Sequence, residues 1–169
     1  MKTFRRVTLL FCILLVGITA NAQKYNYYQI FMYNFTKYIQ WPDESMKGDF
    51  VIGVVGNNEI VATLEKMAES KTVGENKIKI QVLNSSDEAS KCQMVFLPVN
   101  RSKMFDELKS KVDGKPVLLI TEKEGLGSAG SAINFVVIDG KLKFELNRAT
   151  TEKSNLKVSG DLAKLAVLI

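Results

Sequence analysis

Apolar side chains recur at Tyr25, Tyr28, Phe31 with Met32, Phe35 and Ile39. Spacings of three and four put them along one face of a helix, so an amphipathic helix is expected over 25–39. It stops at Trp41-Pro42, because a proline disfavours helical geometry in the residue before it. Its aromatic density has two readings, a core-packing stripe or a partly exposed docking surface. Phe50-Val51-Ile52-Gly53-Val54-Val55-Gly56 is a β-branched run that predicts a strand. Asn57-Asn58-Glu59 then leads into a helix over 60–69, with Ile60, Leu64 and Met67 or Ala68 inward. Strict alternation from Lys77 to Leu83 predicts a half-exposed strand at or near a sheet edge. One helical turn fits 85–91, and Cys92 to Pro98 is continuously apolar, as suits a strand covered on both faces.

Further along, Met104, Phe105, Leu108 and Val112 form the inward side of a helix over 100–112, ended by Asp113-Gly114-Lys115-Pro116. A strand follows at 117–121. The runs 133–138 and 142–147 are strand-like and joined by Asp139-Gly140, a preferred dipeptide of tight hairpin turns. Ser159-Gly160-Asp161 caps a last apolar helix through Leu162, Leu165, Ala166 and Ile169. Alternating strands and helices imply parallel strands joined by right-handed crossovers. The expected fold is therefore an α/β three-layer sandwich: a mainly parallel sheet, helices on both faces, and a C-terminal antiparallel hairpin. No internal repeat, low-complexity tract or Pro/Gly/Ser-rich linker interrupts it.

The N-terminus changes where this domain is expected to work. Lys2, Arg5 and Arg6 precede an apolar run, Val7 to Ile18, and Ala20 and Ala22 supply the A-x-A pattern of a signal-peptidase site, with cleavage expected after Ala22. The run is shorter than the roughly 20 residues of a membrane-spanning helix, which disfavours a retained anchor. Cys12 stands inside the apolar core rather than after the cleavage point, which disfavours a lipoprotein. Residues 1–22 are thus read as a cleavable signal peptide and 23–169 as one domain. Loss of the three basic residues lowers the formal charge from +5 to +2, so the basic character belongs largely to the leader. With no Lys/Arg cluster interleaved with aromatics, nucleic-acid binding is not expected, nor is membrane insertion after cleavage. Cys92 is left without an intramolecular partner, and its apolar run favours burial.

The chain contains no histidine, which excludes Ser-His-Asp and Cys-His nucleophilic systems and His-based metal sites. Glu122 and Glu124 flank Lys123 without a spacing diagnostic of acid–base work, and a solvated turn is the preferred reading. No catalytic residue, metal or cofactor is assigned, and the chain is read as a non-enzyme. Gly125-Leu126-Gly127-Ser128-Ala129-Gly130 fits G-x-G-x-x-G on paper. The dinucleotide fingerprint needs those glycines to open a helix, whereas here Glu122-Lys123-Glu124 precede them and a strand follows. The alternative is a small-residue loop over a ligand crevice at the strand ends, with Gly125, Gly127 and Ser128 as candidate ligand-binding residues.

Four stretches in order carry a resemblance to a known family. They are Phe35-Thr36-Lys37-Tyr38-Ile39-Gln40-Trp41-Pro42, the run Phe50 to Gly56, Cys92-Gln93-Met94-Val95-Phe96-Leu97, and a tail. The tail comprises Ile133-Asn134-Phe135, Lys143-Phe144-Glu145-Leu146-Asn147 and the segment Asn155 to Ala166. In these the mature chain resembles the YfiR-like family of exported proteins, the DUF4154 domain. The resemblance implies regulation rather than catalysis, since its best-known members are periplasmic repressors that bind the outer portion of a membrane-bound diguanylate cyclase and hold it inactive. Its best-studied members look disulfide-bonded, a feature that Cys92 alone cannot supply.

The expected function is a periplasmic regulatory protein, repressor or sensor, that binds the extracytoplasmic domain of a membrane signalling protein such as a diguanylate cyclase or sensor kinase. A homodimer is a further expected partner. Candidate contact residues are Tyr38, Trp41, Phe144, Asn147 and Arg148, because Trp, Tyr and Arg dominate interface energies. The competing reading makes Trp41 and Phe144 buried core. A small-ligand binding protein with its crevice under the loop 122–132 is the alternative function.

Overall fold

A computed structural model describes residues 24–169. The expected leader, 1–22, lies outside the described residues. The chain is helical over 24–38 (α1), then forms β1 (Ile39–Gln40), β2 (Phe50–Val55), α2 (Ile60–Ala68), β3 (Thr72–Val73), β4 (Asn76–Leu83) and β5 (Met94–Leu97). It continues through α3 (Phe105–Val112), β6 (Leu118–Thr121), β7 (Ile133–Ile138), β8 (Lys141–Leu146), α4 (Arg148–Lys153), β9 (Lys157–Val158), α5 (Gly160–Leu165) and β10 (Val167–Leu168). Three 3-10 segments, Asp43–Met46, Ser86–Lys91 and Val99–Met104, connect them.

One eight-stranded sheet runs in the order β10-β8-β7-β6-β5-β2-β4-β3, and β1 pairs separately with β9. Strands β4, β2, β5, β6 and β7 are parallel; β8 is antiparallel to β7, and β3 to β4. Alternation explains the layering. Met94 and Phe96 of β5 join a large core with α1 and α2, while Val95 and Leu97 face a second core with Phe105, Leu108 and Val112 of α3. The sheet is thus covered on both faces, as the continuously apolar β5 and β6 require. At the hairpin turn Asp139 and Gly140 have φ of 51° and 71°, the pair of positive values that a type I′ turn demands.

The aromatic stripe of α1 is core. Tyr28 stacks on Phe135 with ring centroids 4.1 Å apart, and Phe35 meets Phe144 edge-on at 5.2 Å. Trp41 is equally committed: it is buried, meets Phe50 edge-on at 5.0 Å, and donates its Nε1–H to the Gln93 carbonyl at 3.0 Å. Gln93 in turn accepts from the Val51 N–H and donates to the Ser45 carbonyl, both at 2.7 Å. One polar side chain therefore ties the turn after α1 to the middle of the sheet.

Several elements depart from the pattern read in the sequence. The expected last helix ends at Leu165, and Val167–Leu168 instead pair with β8 as a parallel strand. The β-branched Val167 and the open edge of β8 favour this extended ending. The helix expected over 100–112 begins as a 3-10 segment, and its α-helical part starts at Phe105, where Asp106 and Glu107 complement the helix N-terminus. The helix α4 and the short strands β1, β3, β9 were not visible as periodicity.

Cys92 is buried in the second core, and a Cβ on Gly53 would approach its Sγ to 2.9 Å. Burial first, then the Glu88 charge, pushes the thiol from 9.0 up to about 11. The unfolded chain therefore loses this proton first as pH rises. The thiol's contribution to stability is complete below about pH 9 and is lost towards pH 11. Iodoacetamide at pH 8.5 should leave folded protein unmodified and alkylate it fully in guanidinium, as read by mass. The stability difference between the wild type and Cys92→Ala should shrink from pH 9 to 11 in urea titrations.

Candidate functional site

In the parallel part of the sheet, β2 comes first, β4 lies on one side of it and β5 on the other. The chain reverses direction between β2 and β5, and in open α/β sheets the carboxyl ends at such a point form a crevice. Here it has a volume of about 720 Å³. Asn57, Asn58 and Glu59 enter it from the loop after β2, Val99 and Asn100 from the segment after β5, and Tyr25 from the first turn of α1. Glu65, one face of α2 further on, adds a second carboxylate. Gly56, at φ +69°, leaves room for the Arg101 guanidinium, whose Nε would lie 2.7 Å from an added Cβ.

Behind Val99 lies a buried carboxylate. Glu122 follows β6 directly, and its carboxylate is fully shielded from solvent. One oxygen accepts the Val99 N–H at 2.9 Å, and the other forms an ion pair with Lys24 Nζ at 2.5 Å. The Lys24 ammonium also lies 5.2 Å from the Tyr28 ring centroid and 5.4 Å from that of Tyr25. Burial, reinforced by the Glu122 charge, raises the Tyr28 phenol far above the ordinary tyrosine range, so it remains neutral. This cluster joins α1, β6 and the segment after β5 at the back of the crevice. The arrangement can bind and position polar groups. Among the described residues no group of three or more Cys, Asp or Glu side chains could hold a metal.

The loop 122–132 packs down beside this crevice rather than arching over an open space. Gly127 is buried, and a Cβ there would meet Glu145 Oε2 and the Ile169 side chain closer than atoms can pack. Asn147 donates to the Gly127 carbonyl, Thr150 to that of Gly130, and Lys109 to that of Ala129. Beneath the loop runs a polar ladder in which Thr121 donates to Asn134 at 2.7 Å and Asn134 to Glu145 at 2.9 Å. Gly125 and Ser128 are exposed on the loop surface.

The residues singled out for partner contact separate into two groups. Trp41 and Phe144 are buried, and so only the core reading describes their environment. Asn147 is half-buried and caps α4, accepting the Thr150 N–H at 3.0 Å. Tyr38, 41% exposed, and Arg148 are the two open to contact. Sequence reasoning missed Tyr27 and Ile30, which lie earlier on α1 and are 51% and 53% exposed. They are the apolar positions off the inward stripe. The crevice residues were also missed, because Asn57-Asn58-Glu59 read simply as a helix start; Asn58 does accept the Ile60 N–H at 3.0 Å.

These features define a doubly wound α/β domain, with an antiparallel hairpin added at one side and a crevice at its switch point. The chain belongs to the YfiR/HmsC-like family, DUF4154, whose sequence profile matches residues 25–167. That family is regulatory rather than catalytic, and membership is consistent with a regulator of membrane signalling proteins. No curated protein matches the chain. Among solved structures it is similar to the ABC domain in complex with L-Trp from Streptococcus pneumonia, at 13% identity and a TM-score of 0.48, with 70% of this chain and 54% of that chain covered. The chain thus spans about half the length of that protein.

The buried carboxylate makes a specific prediction. Lys24→Met leaves Glu122 shielded with the Val99 N–H beside it and should cost roughly 1–3 kcal/mol. Adding Glu122→Gln removes the uncompensated charge and should recover most of that loss, because the penalty lies in the unpaired ion. Urea titration of the two single variants and the double variant measures the coupling.

Proposed function

We propose that this protein acts outside the cytoplasm, in the periplasm, as a regulator that binds the extracytoplasmic domain of a membrane signalling protein such as a diguanylate cyclase or sensor kinase. The observation that carries the reading is the family match over 25–167, directly after a leader with the features of an export signal. No helix among the described residues is long and apolar enough to cross a membrane. The exposed side of α1 supports a contact role: Tyr27, Ile30 and Tyr38 present large apolar surface on a helix whose other side is fixed in the core. Arg148 is a second exposed residue of a type favoured at interfaces.

The crevice between β2 and β5 favours a second reading, a small-ligand site, with which docking is compatible in a sensor. Its chemistry differs from that of nucleotide sites on this topology. Asn58 already occupies a donor of the α2 N-terminus, and Glu59 puts negative charge where a phosphate would sit. Polar amides and carboxylates there suit an uncharged or cationic polar ligand.

Docking is tested by crosslinked pulldown from a membrane fraction of cells making the full chain. An integral membrane signalling protein should be enriched with the wild type, and at least several-fold less with Tyr27→Ala/Tyr38→Ala, both exposed positions. Equal recovery with that variant and with an unrelated exported protein would remove the reading's support. Trp41→Ala is unsuitable as a probe, since losing a buried aromatic costs roughly 3–5 kcal/mol of stability.

A further inference from the structure

A groove of about 590 Å³ lies between α4, β9, α5 and β10, and none of the crevice residues lines it. Its floor is apolar: Leu146 and Leu156 are buried, and Val158 and Ala163 half-buried. Leu168 of the edge strand β10 forms one wall and is 49% exposed. The rim is cationic. Arg148, Lys157 and Lys164 line it against a single carboxylate, Glu152. Lys164 makes an exposed contact with Asp161 at 3.1 Å, which leaves its charge free to redirect at little cost.

We infer that this groove is a binding site for a single-chain anionic amphiphile, a fatty-acid carboxylate, whose chain lies on the aliphatic floor and whose head meets the cationic rim. The two halves of the site make the choice. An apolar floor alone would accept any hydrocarbon, and exposed cations alone any anion; their juxtaposition selects a molecule that carries both. The volume falls within the range of small-molecule sites. A nucleotide or sugar phosphate would leave the aliphatic floor unmatched, and a cationic amphiphile would meet like charge. The inference stands independently of the docking reading, since no residue of the exposed α1 face contributes to the groove.

The test is isothermal titration of the full mature chain with dodecanoate below its micelle concentration, beside dodecyltrimethylammonium and phosphatidylglycerol vesicles. Saturable one-to-one binding of dodecanoate is expected, with no saturable binding of the cationic amphiphile. Arg148→Gln/Lys157→Gln/Lys164→Gln, all at exposed positions, should weaken dodecanoate by roughly tenfold. Leu168→Asp, which puts a like charge in the wall, should weaken it at least as much. Circular dichroism checks that both variants are folded. Absence of saturable binding, equal binding of the two amphiphiles, unchanged affinity in both folded variants, or binding to vesicles alone would each overturn the assignment.

Discussion

The stacking of α1 on the β7–β8 hairpin is the interaction from which the rest of the arrangement follows. Tyr28 lies flat on Phe135, and Phe31 and Phe35 close on Phe144, so five rings, three from α1 and two from the hairpin, share one layer. Aromatic pairs contribute about 0.5–1.5 kcal/mol each beyond the area they bury. The larger effect is geometric. Once the ring layer is formed, the rotation of α1 is set. One side of the helix is committed to the sheet, Lys24 and Tyr25 are delivered to the strand ends, and Tyr27, Ile30 and Tyr38 are left outside.

Glu122 reads as the polar counterpart of that layer. A carboxylate shut away from solvent is costly unless paired and hydrogen-bonded. Its two oxygens are engaged by groups from two other parts of the chain, the Lys24 ammonium and the Val99 N–H. The pair therefore specifies where the first turn of α1 meets the carboxyl end of the sheet, more than it adds net stability. Because Val99 and Tyr25 both line the crevice, its shape is coupled to the seat of α1. A ligand there and a partner on α1 would act on one rigid helix.

How much of this was legible in the sequence follows from the range of the interactions involved. Period-two and period-3.6 patterns mark residues that meet a core, and they located β2, β4, β5, α2, the hairpin and the inward side of α1. Two-residue strands such as β1, β3 and β9 have no period to detect; they exist because a partner strand is near. Val167–Leu168 look like the end of an apolar helix until the open edge of β8 is present to pair with them. Burial of single side chains is hidden for a related reason. Glu122 next to Lys123 and Glu124 resembles a solvated turn, and its burial depends on Lys24, nearly a hundred positions away. Trp41 and Phe144 have the side chains of interface anchors, yet such side chains are equally those of a core.

The G-x-G-x-x-G loop shows how one residue pattern can satisfy a different physical demand. In dinucleotide folds the glycines let a backbone approach a pyrophosphate. Here Gly127 lets a backbone approach Glu145 and Asn134, members of a polar ladder crossing β6, β7 and β8. A loop pressed onto that ladder shields its hydrogen bonds, and Lys109, Asn147 and Thr150 hold the loop by three of its carbonyls. Close approach is the property selected in both cases, and only the object approached differs. That closes this end of the sheet beside β7 and β8. Two concavities elsewhere differ in lining, the amide- and carboxylate-lined crevice at the switch point and the cation-rimmed aliphatic groove beneath β10. Their opposite charge character means that no single ligand class would suit both.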